Sequence, residues 1–338
     1  MRKCEAPAEP EVEKRSMEPI RLAVLRCDGH AYWYGPLMTA CEPLLLRRYC
    51  EPAHRWFTDP NTYSPTVLTA PRCLQFHVTN IWDPQTERAE RFRQVFLNTG
   101  RICRTVEEAT EGIDAAFIAN CNGDGSDHRE MAEPFLEKGI PLFVDKPFAL
   151  KLKDAKAMVA LAERTGTPMM SASILSFIPD LASIRAQMTE IGNVRLGIVS
   201  GPAASQAGFV HTFALAQAVF GTGVEAVECF GSHPLKYIEL YYPDGREVTI
   251  LNKPGVDGMS VEIFGDARFP RPRSVRRYGI GDPSFTVGAY TIACLFRDMI
   301  RSRKPPIDYA SMMEIIAMGE AARMAQREGR RVELREVY

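Results

Sequence analysis

The sequence predicts an α/β protein in two parts: an N-terminal doubly wound parallel sheet, then an α/β domain built on a large open, mostly antiparallel sheet. Three observations predict it. Short apolar runs alternate with helix-period stretches over the first half of the chain. Beyond about residue 190, strand patterns follow one another across short turns instead. The length, 338 residues, also exceeds what one core usually organises and suits two domains.

Residues 1–18, "MRKCEAPAEPEVEKRSME", are rich in Glu, Pro and Lys and lack an apolar segment, so they read as a disordered leader and not as a secretory signal. Arg21–Leu25 is the first strand and runs straight into the loop "RCDGHAYWYG" (26–35). A dinucleotide-binding loop at this place would read G-x-G-x-x-G. Here Arg26, Asp28 and Ala31 hold the three glycine positions, and Gly29 stands between them. The stretch 36–74 is long for a connection and is expected to carry its own helix and a loop beside the site. "QFHVTNIW" (75–82) is the second strand, after which Asp83 as N-cap and Pro84 at the first helical position open a helix bearing Ala89, Phe92 and Phe96. "DAAFIAN" (114–120) and "IPLFVD" (140–145) are further strands. Between them a helix starts with the capping-box-like pair Asp127 and Glu130 and stops at Gly139. Leu152, Ala155, Met158, Val159 and Ala162 form the apolar face of the next helix.

These patterns divide the chain into a nucleotide-binding domain over 19–148 and a substrate and oligomerisation domain over 149–338. In the second part "NVRLGIVSG", "GVEAVECFGS", "PLKYIELYYPDGREVTILN" and "GMSVEIFG" are strands, with "PDGR" (243–246) as a hairpin turn. Two helices close the chain, the first stopped by Pro305–Pro306.

Lys and Arg number 41 against 42 for Asp and Glu, so no net field favours nucleic acid or an anionic membrane. The basic run 268–279 reads as a solvated strand and turn. Nine cysteines form no C-x-x-C pair, which fits free thiols in a reducing cytoplasm and argues against a disulfide framework or zinc knuckle. No apolar stretch reaches the length of a membrane span.

Three segments resemble the glucose-fructose oxidoreductase/inositol dehydrogenase/MocA family. "GIDAAFIANCNGDGSDHREMAEPFLEKGIPLFVDKPFAL" (112–150) is similar to its strand-loop-helix-strand unit, with Asp145-Lys146-Pro147 where the family has Glu-Lys-Pro. "GFVHTFALAQAVFGTGVEAVE" (208–228) resembles its His-bearing helix and the strand after it, and residues 301–334 resemble its C-terminal pattern. Together the matches cover most of residues 20–338 in the family's order. The resemblance implies a Rossmann domain followed by an open-sheet domain. The implied activity is NAD(P)-dependent oxidation or reduction at a CH–OH group of a sugar, cyclitol or related polyol.

On that reading Lys146, at the carboxyl end of a strand, polarises the substrate oxygen, and His211 exchanges the hydroxyl proton. Cys27, Asp28, Gly29 and His30 would meet the cofactor's diphosphate, and Asp83 the adenosine ribose, which favours NAD over NADP. Asn120, Cys121, Asn122 and Asp145 would line its nicotinamide side. His128, Tyr32, Trp33 and Lys146 would face the substrate, the two aromatic rings offering flat apolar faces with polar edges. Asp28, His30, Asp124, Asp127 and His128 all follow strand ends that face one crevice, but their scattered spacing gives no metal motif, and no metal site is expected.

Two departures from the family pattern matter. Asp28 puts a carboxylate where a diphosphate would rest, and Ala207 stands where the family often has an acidic residue four positions before the histidine. They motivate a second reading: a lyase, isomerase or epimerase on the same scaffold, with NAD recycled internally, weakly bound or lost. A third, a non-catalytic sugar-binding relative, is opposed by the presence of Lys146 and His211. The open sheet is expected to make the protein a homo-oligomer.

Overall fold

The computed structural model describes residues 18–57, 70–121, 123–202, 205–231, 235–252, 258–267 and 275–338. The leader 1–17, part of the 36–74 stretch, part of the basic run and Asn122 lie outside the described residues.

The first strand, Ile20–Leu25 (β1), is followed by Gly29–Met38 (α1), Pro43–Tyr49 (α2) and Glu51–Phe57 (α3). Next come Phe76–Trp82 (β2), Thr86–Val95 (α4), Arg101–Ile102 (β3), Val106–Ala109 (α5) and Ala115–Ile118 (β4). His128–Glu137 (α6), Leu142–Val144 (β5), Leu152–Thr165 (α7) and Met169–Met170 (β6) complete the first sheet. Its strands are all parallel, in the order β3-β2-β1-β4-β5-β6. That is the Rossmann order, with the direction of winding reversing between β1 and β4, so a crevice opens at their carboxyl ends.

Helices cover both faces, and the central strands β4 and β5 therefore read as unbroken apolar runs. β1 sends Ala23 and Leu25 into one core and Leu22 and Val24 into the other. β4 splits likewise, with Ala116 and Ile118 against Ala115 and Phe117. On the second face Phe117 and Phe143 stack with centroids 4.6 Å apart, and Tyr34 of α1 meets both edge-on. Offset and edge contacts of this kind suit the ring quadrupole.

The chain continues through Asp180–Met188 (α8), Val194–Gly201 (β7), Gln206–Phe220 (α9), Ala226–Phe230 (β8), Tyr237–Tyr241 (β9) and Glu247–Asn252 (β10). Met259–Gly265 (β11), Val275–Ile280 (β12), Asp282–Ser302 (α10), Tyr309–Glu328 (α11) and Val332–Glu333 (β13) follow. The second sheet has seven strands in the order β12-β11-β7-β10-β9-β8-β13, antiparallel throughout except for β7 beside β10. Its strands alternate, as one covered face requires. Val199, Val227, Ile238, Leu240, Val248, Ile250, Val261 and Ile263 are buried, while Glu228, Glu239, Thr249 and Glu262 lie on the opposite face. The β9–β10 hairpin closes through the expected turn, with Gly245 at φ 81° donating to the Tyr242 carbonyl.

The structure differs from the sequence reading at four places. What reads as a loop from residue 29 is helix α1, and its aromatics are helical residues. Helix α4 begins at Thr86, because Asp83 turns its carboxylate to the backbone N–H groups of Cys27 and Gln85 and caps no helix. Asp127 does stand at the N-cap of α6, but its side chain bonds Asn120 and Arg26 and makes no capping bond. The first sheet also runs past residue 148, reaching β6 across the helix α7. Helix α10 packs back on it through Phe296, which meets Phe76 and Phe143.

Candidate functional site

The turn after β1 keeps its shape without its glycine. Arg26 adopts φ 65°, the left-handed conformation that a first glycine would supply at no steric cost. Its guanidinium offsets part of that strain by donating to Asp127 at 3.0 Å and to the Asn120 amide oxygen at 3.3 Å. At the second glycine position the Asp28 carboxylate accepts from the Cys121 N–H at 3.3 Å, crossing from the β1 loop to the β4 loop. The two loops nearly touch: a Cβ on Gly29 would lie 3.0 Å from the Cys121 sulfur. Asp83, at the end of β2, is buried, with one oxygen 2.8 Å from the Cys27 nitrogen and the other 2.8 Å from that of Gln85. A carboxylate offers about four acceptor directions, so capacity remains for ribose hydroxyls.

β5 ends one residue before Asp145, which is fully buried. Its two oxygens lie 2.9 and 2.7 Å from Nδ1 of His30, on the first turn of α1. Burial alone would raise this carboxyl, but the charges of His30 and Lys146 and the His30 hydrogen bond outweigh it and hold the pKa below the ordinary value. Lys146 follows, only 6% exposed, joined to Pro147 by a cis peptide bond. It lines a narrow cavity of about 20 Å³ with Ser171, Ser173, Val210 and Met312. His211, on α9, adjoins this cavity through Ser173, its Nδ1 2.7 Å from that hydroxyl. Burial first, then the positive charges of Lys146 and His30, push this imidazole well below its usual pKa. His211 is therefore neutral near pH 7. The arrangement puts an ammonium, a neutral imidazole oriented by a hydroxyl, and a buried His–Asp pair at the carboxyl edge of β5 and β6.

The other residues singled out in the sequence separate into two groups. Asn120 is buried and spans from Arg26 to Asp127, so it holds the crevice wall. Cys121 stands at the crevice, its thiol pKa raised by burial and then by Asp28 and Asp145. His128 and Tyr32 face inward. His128 is 0% exposed, with Nδ1 3.3 Å from the Phe148 carbonyl, and Tyr32 packs edge-on against Phe92. Trp33 is half-buried between His30 and Trp56, so the inserted α3 covers it. Two features escaped the sequence reading. Ser173 orients His211 where an acidic partner was sought, and its only sequence signal is a small polar residue just beyond a sheet strand. The His30–Asp145 pair joins residues 115 positions apart, and no spacing rule finds it.

Residues 61–173 match a family model described as an oxidoreductase family with an NAD-binding Rossmann fold. A 142-residue stretch is 29% identical to a scyllo-inositol 2-dehydrogenase (NADP+) of Bacillus subtilis, covering 41% of this chain and 40% of that protein. A 116-residue stretch is 30% identical to a myo-inositol dehydrogenase of Streptomyces leeuwenhoekii, covering 34% of this chain and 35% of that one. The chain thus spans two fifths or less of the length of these curated relatives. An oxidoreductase of Agrobacterium radiobacter, solved with NAD+, L-tartaric acid and magnesium, shares the fold with a TM-score of 0.67 at 16% identity, over 94% of this chain and 99% of that one.

A dinucleotide fits the frame seen here. The strand order, the left-handed turn at Arg26, the helix start at Gly29 and the carboxylate at the end of β2 are the parts that would hold such a cofactor. The Asp28 carboxylate is the group in this loop that opposes a diphosphate, and it would have to turn aside.

Proposed function

We propose that this oxidoreductase, a member of the glucose-fructose oxidoreductase/inositol dehydrogenase/MocA family, acts on a CH–OH group of a sugar, cyclitol or related polyol with NAD(P) as its redox partner. The observation that carries the reading is that Lys146 and Ser173 line one cavity at the carboxyl edge of the first sheet, with His211 hydrogen-bonded to that serine. NAD(P), when bound, supplies the hydride acceptor or donor that such a site needs. The loop from Cys27 to His30 would face its diphosphate, Asp83 its adenosine ribose, and Asn120, Cys121 and Asp145 its nicotinamide side. Asp83 favours NAD over NADP, since a carboxylate suits a ribose hydroxyl better than a phosphate.

Lys146 places its ammonium on the substrate oxygen and stabilises negative charge as the hydroxyl proton leaves. His211 takes that proton. In the tautomer that donates Nδ1–H to Ser173, Nε2 carries the lone pair that accepts the proton, and the depressed pKa keeps the ring unprotonated. Trp33 would border the substrate with its exposed edge. The half-covered apolar residues Leu196, Ile198 and Phe264 on the open face of the second sheet support self-association through that face.

Lys146→Ala tests the assignment. The expected result is a fall in turnover of about 10²- to 10⁴-fold, with the NAD(H) dissociation constant changed by less than about half an order of magnitude. Lost cofactor binding with undiminished turnover would contradict the role. A second reading, an isomerase, lyase or epimerase with weak or lost NAD binding, is favoured by the Asp28 carboxylate bonded inside the nucleotide loop.

A further inference from the structure

We propose that His30, Cys121 and Asp145 form a binding site for a single divalent cation of the Zn²⁺ class at the crevice between β1, β4 and β5. One donor atom from each of the three residues lies within 4.8 Å of the other two. The donors are an imidazole nitrogen, a sulfur and a carboxylate oxygen, the ligand types that Zn²⁺ accepts in tetrahedral sites with one position open. Three separate segments supply them: the first turn of α1 and the turns that follow β4 and β5. Sequence spacing therefore gave no motif, and the strand order alone assembles the cluster.

The surroundings suit a cation better than they suit the groups by themselves. Asp145 is wholly enclosed, and its carboxylate lies 2.7–2.9 Å from Nδ1 of His30, so the imidazole and the carboxylate already meet in a hydrogen bond that a cation bound by both would replace. The His30 ring is fixed from the side by the edge contact to Tyr34. Asp28 stands beside Cys121 and accepts its backbone N–H, adding a second carboxylate next to the thiol. A divalent cation is the partner that can hold a thiolate beside these two carboxylates. On binding, Cys121 loses its thiol proton to solvent and its sulfur coordinates the ion. A dication, a thiolate, the carboxylates of Asp28 and Asp145 and the Lys146 ammonium then come to zero net charge. Such a charge balance lets acidic residues stand where a diphosphate must pass. The site itself does not rest on the hydride-transfer reading.

Cobalt is the probe, because a thiolate ligand gives Co²⁺ a near-ultraviolet charge-transfer band. The full chain, stripped with a chelator, is titrated with Co²⁺ and then with Zn²⁺. One equivalent of Co²⁺ should develop the band, and Zn²⁺ should abolish it by displacement. Cys121→Ser should lack the band, and His30→Gln should bind Co²⁺ at least about tenfold more weakly. Both substitutions preserve approximate size, and circular dichroism checks that each variant folds. Other thiols are present among the described residues, Cys73 and Cys294 included, so a band that persists in Cys121→Ser overturns the proposal. So does wild-type protein that shows no band at one equivalent. A measurement on wild-type protein alone backs up the variants: one equivalent of Zn²⁺ should slow alkylation of Cys121, mapped by peptide mass. An unchanged labelling rate at that residue would also overturn the site. None of these readouts uses NAD(H), so failure here and failure of the dehydrogenase reading are separable.

Discussion

At residue scale the proposed proton transfer needs His211 to stay neutral, and the pH dependence follows from the direction of its shift. Its folded pKa lies well below the unfolded value of about 6.5, because burial and the Lys146 and His30 charges disfavour the cation. The unfolded chain therefore binds more protons than the folded one as pH falls below about 6.5, and stability drops across that range. The denaturant midpoint should fall between pH 7 and pH 5, and His211→Gln should blunt that fall; an equal slope in both proteins would place the effect elsewhere. Ser173 is a positioning residue for the same group. Ser173→Ala removes one hydrogen bond, worth about 1 kcal/mol, so kcat should fall about five- to tenfold. The acidic limb of the wild-type pH–rate profile should lie well below pH 6.5. A limb at or above pH 6.5 would mean that His211 does not titrate as its surroundings demand. The sequence singles out Lys146 and His211 because each sits in a segment that resembles the family's. It does not single out Ser173, since a serine gains its meaning only from the imidazole 38 positions away.

Element by element, the runs that alternate or repeat were the ones that could be read. β2, β4, β5 and the face of α7 appear where their apolar residues lie. α1 did not announce itself, and the reason is physical. Ala31, Tyr32, Tyr34, Gly35, Pro36, Leu37 and Met38 are all buried, so the helix has no polar face to reveal a period. It also carries a glycine where close packing needs one: a Cβ on Gly35 would sit 2.2 Å from the Phe96 ring. Ala would gain up to about 1 kcal/mol in helix propensity, but forcing a side chain into this closed contact costs about 1–3 kcal/mol. Gly35→Ala should therefore lower the unfolding free energy by about 1 kcal/mol or more in urea. Unchanged stability would show that the Phe96 ring can swing clear.

Across the whole molecule the order of the first sheet brings distant residues to one edge. The crevice gathers Asp28 and His30 from the β1 side, Cys121 from β4, Asp145 and Lys146 from β5, and Ser173 from just beyond β6. Fold class was legible in the sequence because alternation along 20–145 and the hairpins beyond 190 each imply a layer of structure. How α10 packs back on the first sheet was not, because a helix's apolar stripe does not say which sheet it faces. The measurement that bears most directly on the function is a calorimetric titration of nucleotide-stripped protein with NAD(H) and NADP(H), run beside Asp28→Gly. Saturable one-to-one binding by the wild type, tighter for NAD(H) than NADP(H) and tighter again in Asp28→Gly, is the expected result. Absence of binding to either nucleotide in both proteins would contradict a nicotinamide-dependent oxidoreductase.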